Sequence, residues 1–113
     1  MLKELLSLYD SCKLECDGLT RVLHTVLSQE GIEHSCLIGS LVLIESHKGS
    51  PLHFWIVLPD GSYIDYRARM WLGDRADVPH GIFNPVDYPK VAYSGSSMEL
   101  DILSPSLFAV LTA

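Results

Sequence analysis

Apolar residues return along this chain with two different periods, and the change of period marks the elements. Leu2, Leu5, Leu6 and Tyr9 stand at helical spacing, which predicts a short helix over 2–9. Asp10, Ser11 and Cys12 break it. Leu19, Val22, Leu23, Val26 and Leu27 then form a single apolar stripe with the spacing of one helix face, predicting a stronger helix from about 18 to 30. Asp17 is the expected N-cap, and Gly31 stands where a left-handed glycine ends a helix. From there the period shortens. Residues 34–45 are rich in Leu, Ile and Val and read as a strand. Gly49 and Pro51 mark a loop over 46–51, and further strands are expected over 52–58 and 62–66.

Between the last two strands lies Pro59-Asp60-Gly61. Proline presets the first turn position and glycine accepts the left-handed third, the pattern of a three-residue hairpin loop closed by a bulge. Such a loop sets Leu58 against Ser62, Trp55 against Asp65 and His53 against Arg67. Leu52, Phe54, Ile56, Leu58, Ile64 and Tyr66 then share one face, and His53, Trp55, Val57, Asp65 and Arg67 the other. His53 and Asp65 become diagonal neighbours, roughly 7–8 Å apart at the backbone. A two-residue Asp60-Gly61 turn would put them on opposite faces instead.

Residues 67–90, with Gly73, Pro79, Gly81, Pro85 and Pro89, read as mostly irregular. Residues 91–93 and 98–102 suggest a hairpin around Ser94-Gly95-Ser96-Ser97. Ser104-Pro105 then opens a closing helix through Leu111, with Ser at the cap and Pro at the first helical position. There is no internal repeat and no low-complexity tract. The whole predicts an α+β fold, N-terminal helices packed on a small antiparallel sheet, in a single domain over 1–113.

Composition narrows the function. The net charge of −6 over 113 residues and a pI near 5.1 argue against a nucleic-acid partner. No apolar run is long enough to cross a bilayer, so no membrane role is expected. Glu4 and Asp10 interrupt the N-terminal apolar stretch, which therefore does not read as a secretion signal. The three cysteines, Cys12, Cys16 and Cys36, are an odd number and read as thiols in a reducing compartment, with the cytoplasm as the expected location.

Of these thiols Cys16 has the distinctive place, at the mouth of the second helix, where free N–H groups and the dipole favour negative charge. A thiol becomes a strong nucleophile as thiolate, which a helix N-terminus and a nearby imidazolium both promote. The imidazole must in turn be held in one tautomer, commonly by a carboxylate. Cys16, His53 and Asp65 supply these parts in order. The N–H of Cys16 is the natural first donor to an oxyanion.

Cys16-Asp17-Gly18-Leu19-Thr20 opening a helix, Gly31-Ile32 leading into a strand, His53-Phe54-Trp55, and Tyr63-Ile64-Asp65 together resemble the transglutaminase-like branch of the papain-like cysteine fold. The resemblance covers roughly residues 15–66. It implies Cys16 as nucleophile, His53 as base, Asp65 as orienting acid and Trp55 as the aromatic that shields the site. Trp55 and Trp71 are the candidate substrate-binding residues. No Arg-Cys-Gly-Gly segment of the kind arylamine acetyltransferases carry is present, which argues against coenzyme-A-dependent transfer.

The expected function is thus thiol-dependent acyl transfer on an amide or related bond of a protein, peptide or other amide substrate: peptidase, deamidase or transglutaminase-like. No metal or organic cofactor is called for. The alternative is a non-catalytic binding or inhibitory module on the same fold, with a redox-sensing thiol protein as a weaker third. Other residues have plainer readings. Cys36 alternates with apolar neighbours and reads as core, and Cys12 as a spare or resolving thiol. A zinc site from Cys12 and Cys16 with His24 or His53 matches no common ligand spacing. His24 is expected to face water, His34 and His47 to lie on the surface, and His80 to sit in a loop or line the cleft. Arg67, Arg69 and Arg75 are expected either to pair with Asp74 and Asp77 or to grip an acidic or planar substrate.

Overall fold

The computed structural model describes residues 2–113. Its elements run α1 (Leu2–Ser7), α2 (Cys16–Gln29), β1 (Ser35–Leu43), β2 (Lys48–Val57), β3 (Tyr63–Asp65), α3 (Ala68–Leu72), β4 (Gly81–Phe83), a 3₁₀ turn (Pro85–Asp87), β5 (Val91–Met98) and α4 (Pro105–Leu111). The strands form one antiparallel sheet in the order β4-β3-β2-β1-β5. The α+β class, with helices laid against an antiparallel sheet, is as the hydrophobic pattern predicts. Among the described residues no helix is long and apolar enough to cross a membrane.

The stripe of α2 does what its spacing requires. Leu19, Leu23, Val26 and Leu27 bury themselves against Cys36, Ile56, Ile64 and Tyr66 of the sheet and Leu6 of α1, and this burial holds the helix on the sheet. Its end is the expected glycine motif: Gly31 has φ +68°, its N–H donates to Ser28 O at 3.1 Å, and Ile32 N–H donates to Leu27 O at 2.9 Å. Its start differs from expectation. The helix opens at Cys16 with Glu15 as N-cap, not Asp17. Asp17 lies inside the first turn, where its Oδ1 accepts from Gly18 N–H at 2.8 Å.

The β2–β3 hairpin has the predicted register. Leu58 N–H donates to Ser62 O at 2.8 Å, Ile56 faces Ile64 and Val57 faces Tyr63. Gly61 takes φ +90°, a conformation that a side chain would strain. Asp60 Oδ1 accepts from Ser62 N–H at 2.9 Å and braces the turn.

Two stretches depart from the sequence reading. The expected loop over 46–51 is mostly strand, because β2 begins at Lys48. Its pairing with β1 slips between Gly39↔His53 and Leu41↔Ser50. Pro51 and Leu52 therefore stand against Ser40 alone, a bulge that lets a proline, with no N–H to give the ladder, sit inside a strand. The expected hairpin around 94–97 is also a single continuous strand: β5 pairs with β1 from Cys36↔Met98 to Leu43↔Val91. A long-range partner overrides a turn-like composition here. Gly95 serves packing instead of turning, since a Cβ on it would come within 2.8 Å of the Trp55 indole. In the stretch read as irregular, α3 sets Ala68 and Leu72 against Leu41, Leu43, Val78 and Val91, a second small core.

The sheet curls strongly. β5 and β4 are opposite edges of the strand order, yet the Tyr93 ring lies 5.2 Å from that of Tyr63 and 6.0 Å from that of Phe83. Sheet twist has brought the two edges toward each other, with Trp55 inside the curl.

Candidate active site

Three elements deliver the three expected residues. Cys16 is the first residue of α2, His53 follows the bulge in β2, and Asp65 is the last residue of β3. The register set by Gly61 brings His53 and Asp65 together on one face. His53 Nε2–H donates to Asp65 Oδ2 at 2.7 Å, with both side chains almost wholly buried. The Tyr93 hydroxyl donates to the same Oδ2 at 2.8 Å. Arg67 N–H donates to Oδ1 at 2.9 Å. Both carboxylate oxygens are thus fixed, and the carboxylate fixes the imidazole.

The second nitrogen, His53 Nδ1, is buried and makes no well-formed hydrogen bond. Cys16 is nevertheless one of the two groups that raise the pKa of the ring. Burial works against a charge on His53, but the hydrogen bond to Asp65, the contact with Cys16 and the charges of both outweigh it. The imidazole pKa rises from 6.5 to about 9. Tyr93 is held protonated well above the usual tyrosine range, by burial first and by the Asp65 carboxylate second, so it remains a donor to Asp65.

Cys16 is 8% exposed and opens on a cleft of about 360 Å³. Glu15 and Asp17 form an acidic lip, Ser50 and the bulge residues Pro51 and Leu52 one wall, and Phe54 and Trp71 an aromatic one. Trp71 therefore stands where a substrate-binding residue should. Trp55 does not. It is 1% exposed, stacks on the His53 ring at 6.1 Å and 21°, and is no part of the cleft lining. Its place covers the imidazole, and the aromatic side chains that line the cleft are Trp71 and Phe54.

The site has two supports whose roles the sequence reading did not give. Tyr93 is one. Arg67 is the other: it pairs not with Asp74 or Asp77 but with the loop that leads into Cys16. Its Nε donates to Leu14 O at 2.6 Å, Nη1 to Asp10 Oδ1 at 2.8 Å, and Nη2 to Asp10 O and Cys12 O, both at 2.9 Å. One guanidinium thus ties the end of β3, where Asp65 sits, to the segment that leads into Cys16. Arg67 follows Asp65 by two residues, and no local spacing announced its partners in the segment before α2. Arg69 and Arg75 make the surface ion pairs expected of them, with Asp74 and with Asp77, and Arg75 also pairs with Glu45. His80 is exposed and its Nε2 lies 2.7 Å from Asp10 Oδ2, behind the same loop.

The remaining thiols and histidines divide as follows. Cys36 is core, as expected, and burial pushes its thiol up to about 11. Cys12 is a free, half-buried thiol. Among the described residues, the ligand sets Cys12, Cys16 and His24 or His53 do not assemble as a possible metal cluster; His24, His34 and Cys36 do. His24 does not face water, and His34 is no simple surface residue: their rings lie in contact, Nδ1 to Nε2 at 2.7 Å.

Comparison adds no family. No family model, no curated protein and no solved structure matches this chain.

Proposed function

We propose that this chain is a thiol-dependent acyl-transfer enzyme of the papain-like, transglutaminase-like type. The observation that carries the reading is the buried His53–Asp65 pair, with the imidazole raised to about 9 and the Cys16 sulfur among the causes. A buried imidazole raised by a carboxylate on one side and a thiol on the other, at the edge of a cleft, is the arrangement of an activated nucleophile.

The steps follow from the atoms. The Cys16 thiol proton passes to His53 Nδ1, and Sγ attacks the acyl carbon. The carbonyl oxygen takes up the negative charge. In the first turn of α2, Gly18 N–H is taken by Asp17 Oδ1 and Leu19 N–H by Glu15 O. Cys16 and Asp17 line the cleft, and their N–H groups, at the start of the helix, are left as oxyanion donors. Collapse breaks the bond to the leaving amine, which receives the proton from Nδ1. Water or a second amine then attacks the thioester, giving hydrolysis, deamidation or transfer, and Cys16 is released as the thiol. Asp65 holds Nε2–H throughout, so Nδ1 is the nitrogen that carries the moving proton.

The acidic lip of Glu15 and Asp17 suits a neutral or cationic amide of a peptide or protein, and the Trp71–Phe54 wall suits an apolar or planar group. Three free thiols suit a reducing compartment such as the cytoplasm. The rival reading, a binding module on the same fold, calls for a chain without a substrate cleft; the cleft at Cys16 favours the enzyme. The test is acylation by p-nitrophenyl acetate followed by mass spectrometry. We expect a burst of nitrophenol and one acetyl group on Cys16. Acetylation spread over the three cysteines, or none, would refute the proposal.

A further inference from the structure

Farther along the face of the sheet that α2 covers, away from the cleft mouth, α2, the start of β1 and the segment after β5 meet around a second group of polar side chains. His24 Nδ1, His34 Nε2 and the Cys36 sulfur converge, all three ligand atoms lying within 4.8 Å of one another. They border a cavity of about 460 Å³ that also holds Glu99 and Asp101 at its rim. His34 and Cys36 are two apart at the entry of a strand, so they point to the same face. The Schellman turn at Gly31 folds that strand back beside the helix that carries His24.

Hydrogen-bond counting shows that the group is incomplete as it stands. His24 Nε2 lies 2.8 Å from Leu100 O and His34 Nδ1 lies 2.7 Å from Ile32 O. A carbonyl only accepts, so each of these nitrogens must carry its ring hydrogen. In two neutral imidazoles that uses both hydrogens. The inner nitrogens, 2.7 Å apart, then face each other lone pair to lone pair, which repels. Either a further proton or a cation must lie between them.

We propose that His24, His34 and Cys36 form a binding site for a divalent cation of the zinc type. The outer nitrogens already make the hydrogen bonds to backbone carbonyls that orient ligating histidines and fix their tautomer. The inner nitrogens present lone pairs to one point, and the thiol adds a soft ligand that selects zinc over magnesium or calcium. A tetrahedral ion with metal–nitrogen bonds of about 2.0–2.1 Å needs the nitrogens roughly 3.3 Å apart. The two rings must therefore open by about 0.6 Å, which the half-exposed His34 can accommodate. Binding releases the thiol hydrogen of Cys36 to solvent and leaves both outer N–H groups in place. The fourth position opens on the cavity, to water or to the carboxylate of Glu99 or Asp101. The site is independent of Cys16 and of the proposed acyl transfer. It clips α2, β1 and, through Leu100 O, the segment that leads to α4.

The test is titration of the full chain with Co²⁺, read by absorption, with Zn²⁺ in competition. One equivalent of Co²⁺ should give the thiolate-to-metal band and the visible bands of a tetrahedral site, and Zn²⁺ should abolish both. H34A and H24A should weaken uptake tenfold or more, and C36S should remove the thiolate band. C16S should leave the titration unchanged. Because C36S alters a core residue, its fold is checked by circular dichroism, and H34A decides the matter alone if C36S does not fold. No thiolate band in the wild-type chain, uptake unchanged in H34A, or a band lost in C16S and kept in C36S would each overturn the proposal.

Discussion

Replacing Asp65 with Asn changes one atom in the centre of the proposed site and should reverse the tautomer of His53. In the native chain Asp65 Oδ2 accepts two hydrogen bonds, from His53 Nε2–H and from the Tyr93 hydroxyl. An amide can keep its oxygen toward Arg67 N–H, but its NH₂ would then face His53 and cannot accept. The imidazole must present a bare Nε2 and move its hydrogen to Nδ1, the nitrogen proposed to take the thiol proton. The electrostatics move the same way. Burial alone lowers the imidazole pKa, and Asp65 is the chief group that lifts it to about 9. Without that carboxylate His53 should titrate below its ordinary 6.5 and be neutral at pH 7. The lost elevation corresponds to about 3 kcal/mol, or roughly a hundredfold or more in the protonation equilibrium of the imidazole. We therefore expect D65N to fold, to alkylate at Cys16 about a hundredfold more slowly with iodoacetamide at pH 7, and to show its His53 NMR titration shifted from about 9 to below 6.5. The same exchange of tautomer in a serine protease triad costs about 10⁴ in turnover. Wild-type alkylation and an unmoved His53 titration in D65N would refute the role given to Asp65.

Three further predictions bear on the same architecture. His53 is raised in the folded chain, so its contribution to stability is fully present below pH 6.5 and is lost as the pH rises through about 9; urea unfolding from pH 6 to 10 should lose about 3 kcal/mol in the wild type relative to His53→Gln. Arg67→Met removes the ties to Leu14, Asp10 and Cys12 and should cost about 2–4 kcal/mol by denaturant midpoint, while Arg67→Lys should recover part of the stability but less of the Cys16 alkylation rate, because an ammonium cannot span the same carbonyls. Gly95→Ala should lower the melting temperature and disturb Trp55 fluorescence, since its Cβ would meet Ile38 O at 2.4 Å and the Trp55 ring at 2.8 Å; an unchanged melting curve would contradict the packing described.

The parts of this fold that were legible in the sequence are those set by local chemistry. Pro59-Asp60-Gly61 fixes a turn, the turn fixes a register, and the register places His53 against Asp65 without reference to anything distant. The α2 stripe and the Ser104-Pro105 helix start are equally local: Ser104 Oγ accepts from Leu107 N–H at 3.3 Å, as a cap should. What was not legible depends on partners far along the chain. Ser94-Gly95-Ser96-Ser97 has the composition of a turn and becomes strand only because β1 lies beside it. Tyr93 reaches Asp65 only because the sheet curls its two edges together. Pro51 argued for a loop and instead marks a bulge, which the pairing of β1 with β2 tolerates. Arg67 and the His24–His34 pair join segments through carbonyl oxygens or across a helix end, and no spacing rule in the sequence announces either.

Differential alkylation of the three cysteines tests the central claim most directly. The chain and its His53→Ala variant are treated with a limiting amount of iodoacetamide between pH 5 and 9, and each cysteine is followed by mass spectrometry. The account predicts that Cys16 is labelled first in the wild type, that Cys36, buried and raised to about 11, stays silent, and that the advantage of Cys16 disappears in His53→Ala. Labelling of Cys12 and Cys16 at equal rates across that range, or a Cys16 rate indifferent to His53, would contradict it.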